Sequence, residues 1–344
     1  MMMQAARFYA KGEPLKVEEV PVPEVGADEV LVKVAGCGIC QSDLEYIDLG
    51  VPTVKKPPIT LGHEPAGTIT KAGESVKGFK EGDTVLCGNI ISCGVCRYCR
   101  EGRDDICDNW VMLGNMIDGA YAQYMKIPAK NAYLLPPEID PEYGCIIADA
   151  VSTPFHAVKD RSGLRIGDNV ALFGCGGLGM AAIQIATAMG GNVIAVDVFD
   201  AKLEIARKMG AVETINSQTT DAVKEIRRLT SGRGVDVAFE MIGRPETIVA
   251  AYKSVAKGGR LVQVGFSPKE VTLNLGRMMV NEIEVVGSCG CRSVDFPRLI
   301  ELIRRGKIDI KSLVTHKFPL SQVNEALDVL RRGESIRVVL TPNK

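Results

Sequence analysis

Asn169–Asp197 reads NVALFGCGGLGMAAIQIATAMGGNVIAVD, an apolar run, a glycine-rich turn, a helical pattern and a second apolar run that ends on an acid. Gly174, Gly176, Gly177 and Gly179, with Leu178 between the last two, permit a tight turn, close approach of the main chain to a pyrophosphate, and close helix–strand packing. The N–H groups that open the following helix attract negative charge. Asp197 stands 18 residues after Gly179, where a carboxylate can accept hydrogen bonds from both hydroxyls of an adenosine ribose and repels a 2′-phosphate. No arginine follows it in VDVFDAK, and Lys202 could reach a ribose hydroxyl. The stretch predicts a dinucleotide site that favours NAD over NADP. On the residues alone, the alternatives are a glycine-rich turn used only for packing, or a methyltransferase loop.

The rhythm around this stretch sets the architecture. Apolar strands NVALFG, NVIAVD, VDVAFEMIG, GRLVQVG and IEVVGS alternate with helical patterns around residues 177–190, 201–209, 219–230 and 245–256. Such alternation indicates βαβ units and a doubly wound parallel sheet, an α/β fold, over about residues 151–290. Before residue 150 the character differs: EVLVKVAG, GTITKAG and DTVLCG are short β-like runs separated by Gly and Pro, an irregular and mostly β unit. Residues 291–344 carry helical patterns near 295–305 and 321–332 and a last strand, IRVVL. Two domains suit the 344-residue length.

Composition narrows the function classes. Lys and Arg number 41 against 42 Asp and Glu, and no long basic run occurs, which disfavours nucleic acid or an anionic membrane as partner and favours a small soluble molecule. No apolar run approaches the ~18 residues of a membrane span. Eleven cysteines, an odd number, argue for a reducing compartment, the cytoplasm, and for metal use over a disulfide framework.

Four of these cysteines, Cys93, Cys96, Cys99 and Cys107, stand in SCGVCRYCREGRDDIC, within a lobe of about residues 87–110. Two CxxC steps that share a sulfur, followed by a return cysteine, can surround one tetrahedral zinc ion, and the loop is too polar to shelter four idle thiols. A closed four-sulfur site leaves no position for substrate and reads as structural. A different donor set lies scattered: Cys40 in GICQSD, His63 and Glu64 in LGHEPAG, and Asp149 in IIADAVSTPFHA. One thiolate, one imidazole and one carboxylate make a three-ligand zinc site with an open fourth position. Taken singly, Cys40 reads as a small buried hydrophobe, His63 as a satisfied core group and Asp149 as a helix N-cap. His156 and His316 read as structural or pocket-lining residues.

Together these motifs carry a resemblance. ICQSD, GHE followed by GTITKAG, the four-cysteine lobe, DGAYAQY, GCGGLG with Asp197, and the terminal SIRVVL are similar in order and spacing to the zinc-dependent alcohol dehydrogenases of the medium-chain dehydrogenase/reductase family, over essentially the whole chain. The resemblance implies a GroES-like β-rich catalytic domain, a Rossmann coenzyme domain, and an active site in the cleft between them. It implies that Cys40, His63 and Asp149 bind catalytic zinc, with Glu64 a fourth ligand or a close neighbour, and that Asp43 orients His63. Thr153 and the backbone around Val264, Ser288 and Gly290 would face the nicotinamide, Ile242 would also bind the cofactor, and Arg337 would touch the pyrophosphate. Hydride would pass between an alcohol carbon and nicotinamide C4, and Ser42 would carry the alcohol proton. The alternative for Ser42 is a turn hydroxyl bonded to the backbone. A homo-oligomer, dimer or tetramer, is expected, with IEVVGS as a pairing edge.

Several positions depart from the family pattern. Glu45 replaces the histidine that many relatives use to pass the proton onward, and Gln41 replaces a cation near the pyrophosphate. The third ligand is Asp149 where other members have cysteine. Asn89 stands where an aromatic residue often lines the pocket, a hint of a substrate with more than one polar group; Trp110 reads as a pocket wall or as a core or interface aromatic. The function expected is NAD-linked oxidation of a secondary alcohol, polyol or hydroxyacyl compound. The alternatives are a sugar or amino-acid-alcohol dehydrogenase, a reductase working toward the alcohol, or, in a different class, a zinc-ribbon binding module.

Overall fold

The computed structural model describes residues 1–344, and contacts group them into two compact units: Met1–Ser152 with Gly290–Lys344, and Thr153–Cys289. No helix in either is long and apolar enough to cross a membrane.

The Thr153–Cys289 unit holds one six-stranded sheet in the order Glu213–Asn216, Asn192–Asp197, Asn169–Phe173, Val235–Glu240, Val255–Gln263, Glu284–Gly287. Every neighbouring pair is parallel. Strand order therefore reverses at Asn169–Phe173, and doubly wound sheets take ligands beyond the carboxyl ends of the strands at such a reversal. Helices Gly177–Ala188, Asp200–Lys208, Ala222–Leu229 and Pro245–Ser254 join the strands. Ala171, Phe173, Ile194, Val196, Ala238 and Leu261 form the core with Ile226 and Tyr252 of the helices. Their near-continuous apolar runs are what a sheet covered on both faces requires. The strand Glu213–Asn216 was not among the runs read from sequence. Only its Ile215 is buried, because an edge strand needs little apolar side chain to pair. The Ala222–Leu229 helix starts later than its pattern predicts, because the Asp221 carboxylate accepts from Lys224 N and caps it there.

The glycine turn leaves the carboxyl end of Asn169–Phe173. Gly174 has φ +99, and a Cβ there would lie 2.5 Å from Ile242 Cγ1. A Cβ at Gly179 would sit 1.8 Å from the Gly174 carbonyl oxygen, so this glycine sets how closely the helix approaches the strand. At Gly176 nothing lies within 4 Å of the same point. The first two glycines serve the fold, and the third leaves space above the helix start.

In the other unit, the strand Glu29–Ile39 is the hub. It pairs antiparallel with Tyr124–Pro128 and Glu64–Ala72, and near its end with Arg337–Thr341. Register places Gly38 opposite Glu64 and Ile39 opposite Val338, so Cys40, Glu64 and Arg337 gather at one end of three adjacent strands. Val314–Pro319 lies parallel beside Arg337–Thr341 and extends the sheet, a strand the sequence reading did not anticipate. Val32, Val34, Ile39, Ile69, Val85, Tyr121, Val338 and Leu340 are buried beneath, with Leu327 of the helix Val323–Arg331.

The two kinds of glycine separate experimentally. Gly179→Ala is expected to lower stability by about 1–3 kcal/mol through overpacking, whereas Gly176→Ala stays within about 0.5 kcal/mol of the parent and loses NAD affinity instead. Denaturant melts and NAD titrations of the two variants check this.

Candidate functional site

The four-cysteine lobe closes on itself. Sulfur separations are 3.9 Å for Cys93–Cys99, 3.5 Å for Cys96–Cys99 and 3.8 Å for Cys96–Cys107. A tetrahedron with zinc–sulfur bonds of about 2.3 Å has edges of about 3.8 Å, so the spacing fits that ion. Backbone N–H groups of Cys93 and Asn109 point at Cys107 Sγ, and that of Cys96 at Cys93 Sγ, donors that suit thiolates. The lobe is tied to the return segment: the Asp104 carboxylate accepts from Ser293 N, and buried Asp105 lies 3.4 Å from Arg103 and 3.9 Å from Arg292.

The scattered donors also meet. Cys40, His63, Glu64 and Asp149 each offer a ligand atom, all within 4.8 Å of one another. Asp149 Oδ2 is 3.8 Å from Cys40 Sγ and 3.6 Å from His63 Nε2. The structure thus brings together residues up to 109 positions apart. Cys40 follows the hub strand directly, and Asp149 follows the short turn Cys145–Ala148. Asp43 anchors the cluster: its Oδ2 accepts from Cys40 N at 2.9 Å and from Tyr121 Oη at 2.7 Å, while Oδ1 faces His63 Nδ1 at 3.8 Å, and neither of those two atoms has another partner. Tyr121 lies in the DGAYAQY motif, yet its bond to Asp43 was not foreseen, since a tyrosine in a β-like run reads as core. Arg337, expected at a pyrophosphate, is 3 % exposed, and its Nε donates to Glu64 Oε2 at 3.0 Å with a second guanidinium contact to Oε1.

Electrostatics separate Cys40 from the idle thiols. Burial alone pushes Cys87 up to about 12 and drives Cys37, Cys145 and Cys175 upward as well. Burial opposes the Cys40 thiolate too, but Arg337 and His63 outweigh it and hold that thiol below its usual value. Burial likewise opposes the His63 imidazolium, and Asp149, Cys40 and Asp43 overcome it. The cage favours positive charge; a divalent cation in the proton's place fits the donor set, and its uptake would release acid.

Other expected residues fall as follows. Ser42 Oγ is buried without a hydrogen-bond partner. Asn89, expected in a substrate pocket, donates from Nδ2 to Asp149 Oδ1 at 3.3 Å. Trp110 is 37 % exposed beside the lobe. His156 Nδ1 pairs with Asp160 at 3.0 Å, and His316 Nδ1 lies 3.0 Å from Thr315 Oγ1. Thr153, Ile242, Val264 and Ser288 belong to the unit with the glycine turn, whereas Gly290 and Arg337 belong to the other. Val264 N donates to the Glu240 carbonyl and Ser288 N to that of Gln263. Lys202 lies over the Phe199 ring. Asp197 accepts from the N–H groups of Cys175, Val198 and Phe199 at 2.7, 2.7 and 3.1 Å. About one of a carboxylate's four acceptor positions is left for a ribose hydroxyl, and the charge still opposes a 2′-phosphate. Sequence reasoning missed Glu240, whose buried carboxylate collects donors from Ile242, Gly243, Thr247 and Gln263 and fixes the strand ends beside the glycine turn.

Two family models match the chain. A family model described as the alcohol dehydrogenase GroES-like domain matches residues 26–137, and one described as zinc-binding dehydrogenase matches residues 177–305. The chain is 38 % identical to sorbitol dehydrogenase of Bacillus subtilis, over 99 % of this chain and 98 % of that one. It is 36 % identical to an NAD-dependent alcohol dehydrogenase of Sulfurisphaera tokodaii, over 99 % and 100 %. Among solved structures, the alcohol dehydrogenase of Aeropyrum pernix superposes with a TM-score of 0.91 at 34 % identity, over 98 % and 100 % of the two chains.

Glu45 sits where the Gln41–Leu44 helix runs into the turn Glu45–Leu49, and burial with the nearby Asp43 charge raises its carboxyl from 4.5 to about 7. A carboxyl whose folded pKa is raised favours folding below its unfolded value and loses that advantage as pH climbs from about 4.5 to 7. Glu45→Gln is therefore expected to melt higher than the parent at pH 8 and no higher at pH 4.5, in thermal scans of the zinc-loaded protein. Equal melting shifts at both pH values exclude this titration.

Proposed function

The chain belongs to the zinc-dependent alcohol dehydrogenases of the medium-chain dehydrogenase/reductase family, and from that premise we propose that it oxidises a secondary alcohol or polyol at Cys40, His63 and Asp149, with NAD taking the hydride. It is an NAD-linked zinc oxidoreductase acting between an alcohol and its carbonyl. The observation that carries the site is the convergence of Cys40 Sγ and His63 Nε2 on the single oxygen Asp149 Oδ2. Zinc bound there supplies Lewis-acid polarisation of the substrate oxygen.

This chain's own residues do the rest. The Arg337 guanidinium neutralises Glu64, which makes that carboxylate a poorer fourth donor and leaves a coordination position for substrate. Ser42, with a buried hydroxyl and no competing partner, takes the alcohol proton and hands it on, and Glu45, titrating near neutrality, is the next acceptor. Tyr121 and Cys40 N hold Asp43 so that its Oδ1 faces His63 Nδ1 and fixes the ring tautomer. The Gly174–Gly179 turn and Asp197 hold NAD, with the open space at Gly176 admitting the pyrophosphate. A hydroxyl flanked by other hydroxyls suits the likeness to a sorbitol dehydrogenase. The four-cysteine zinc braces its lobe.

The edge strand Glu284–Gly287 and the exposed Leu275, Met279 and Val280 just before it support pairing with a second copy, and eleven free cysteines suit the cytoplasm.

Two zinc ions per chain are expected by elemental analysis. His63→Ala is expected to keep one and lose NADH formation from polyols and secondary alcohols, while Ser42→Ala keeps both and loses on the order of a hundredfold in turnover. Protein that holds two zincs yet forms no NADH with any of these alcohols would falsify the substrate class.

A further inference from the structure

The two oxygens of Asp149 are not equivalent. Oδ2 is the atom shared by Cys40 Sγ and His63 Nε2, while Oδ1 accepts the Asn89 side-chain amide at 3.3 Å. Asn89 is itself held firmly. It is 6 % exposed, Gly88 N donates to the Asn131 carbonyl on one side, and Leu113 N donates to the Asn89 carbonyl. On the other side Ile90 enters the two-stranded pairing with Met112, and its carbonyl accepts from Asn131 Nδ2 at 2.7 Å. The amide therefore projects from main chain fixed in three places. Asp149, by contrast, lies outside any regular element, after the turn Cys145–Ala148.

A carboxylate on such a segment can bind a metal through one oxygen or through both. Binding through both would fill the position that a substrate oxygen needs. We infer that Asn89 is a positioning residue: by occupying Oδ1 it limits Asp149 to metal binding through Oδ2 and keeps the fourth position open. This differs from a role lining the pocket, in which Asn89 would act on substrate alone. The inference rests on the reading of Cys40, His63 and Asp149 as a metal site, and the four-cysteine ion in the same chain supplies an internal reference.

The test uses zinc-loaded and cobalt-exchanged full-length protein, as the parent and as Asn89→Leu and Asn89→Asp. Leucine matches the size without a donor; aspartate matches shape and polarity with acceptors only, and serves if the leucine variant folds poorly. Zinc transfer to a chelator and the visible spectrum of the cobalt form are both read without substrate. The parent is expected to release one ion quickly and one slowly. Each variant is expected to release the fast ion at least about tenfold sooner, as removing the hydrogen-bond partner of a ligand does, to keep the slow phase unchanged, and to show an altered cobalt spectrum, as the second Asp149 oxygen takes the fourth position. Unchanged fast release and an unchanged spectrum, with only KM altered, overturn the positioning role and return Asn89 to the pocket. A parent that holds only the slow ion overturns the metal-site reading and the inference with it.

Discussion

The ion pair between Arg337 and Glu64 closes the catalytic unit. It lies at 3 % and 0 % exposure, joins residues 273 positions apart, and sits where three strands end beside Cys40. A lone carboxylate buried there would add its charge to those of Cys40, Asp43 and Asp149, and that is too costly to persist. With Arg337 and a divalent ion in place, four anionic groups meet three positive charges in a small volume. The same guanidinium lowers the Cys40 thiol against the opposing effect of burial, and it binds the Glu64 carboxylate. Fold closure and site chemistry therefore share one side chain.

The two metal-binding constellations are built on opposite principles. The four-sulfur lobe is local: its ligands span Cys93 to Cys107, and its own backbone supplies the N–H groups that stabilise the thiolates. The mixed site is non-local, assembled by strand register and by a turn more than a hundred positions away. A local site can load and tighten with little help from the surrounding core. A non-local one exists only once the sheet is in register.

This difference explains what was legible in the sequence. Periodicity from Asn169 onward specified the parallel sheet because its inner strands are apolar on both faces, and the one strand of that sheet missed, Glu213–Asn216, is an edge strand with one buried apolar residue. The cysteine lobe was legible because spacing alone decides it. Cys40, His63 and Asp149 were indistinguishable from ordinary core and cap residues until a family resemblance joined them, and geometry then supplied the meeting point. What no pattern carried was the layer behind the candidate ligands. The bonds from Tyr121 to Asp43 and from Asn89 to Asp149, and the partner of Arg337, depend on which side chains face each other across unrelated strands. Glu240 was hidden in the same way, as one acid ending an apolar strand whose four donors come from three later segments.

The pairing of Glu29–Ile39 with Arg337–Thr341 also fixes an order of events during synthesis. Thr153–Cys289 is one continuous segment and can fold as soon as it leaves the ribosome, whereas the unit that holds Glu29–Ile39 waits for Arg337–Thr341. Until Arg337–Thr341 arrives, Glu64 lacks its guanidinium partner and the edge of the hub strand stands open beside Cys40. The nascent protein therefore passes through a stage at which its NAD-binding half is complete and its metal-binding half is not. The end of the hub strand beside Cys40 is completed by a segment translated only after the whole of the other unit.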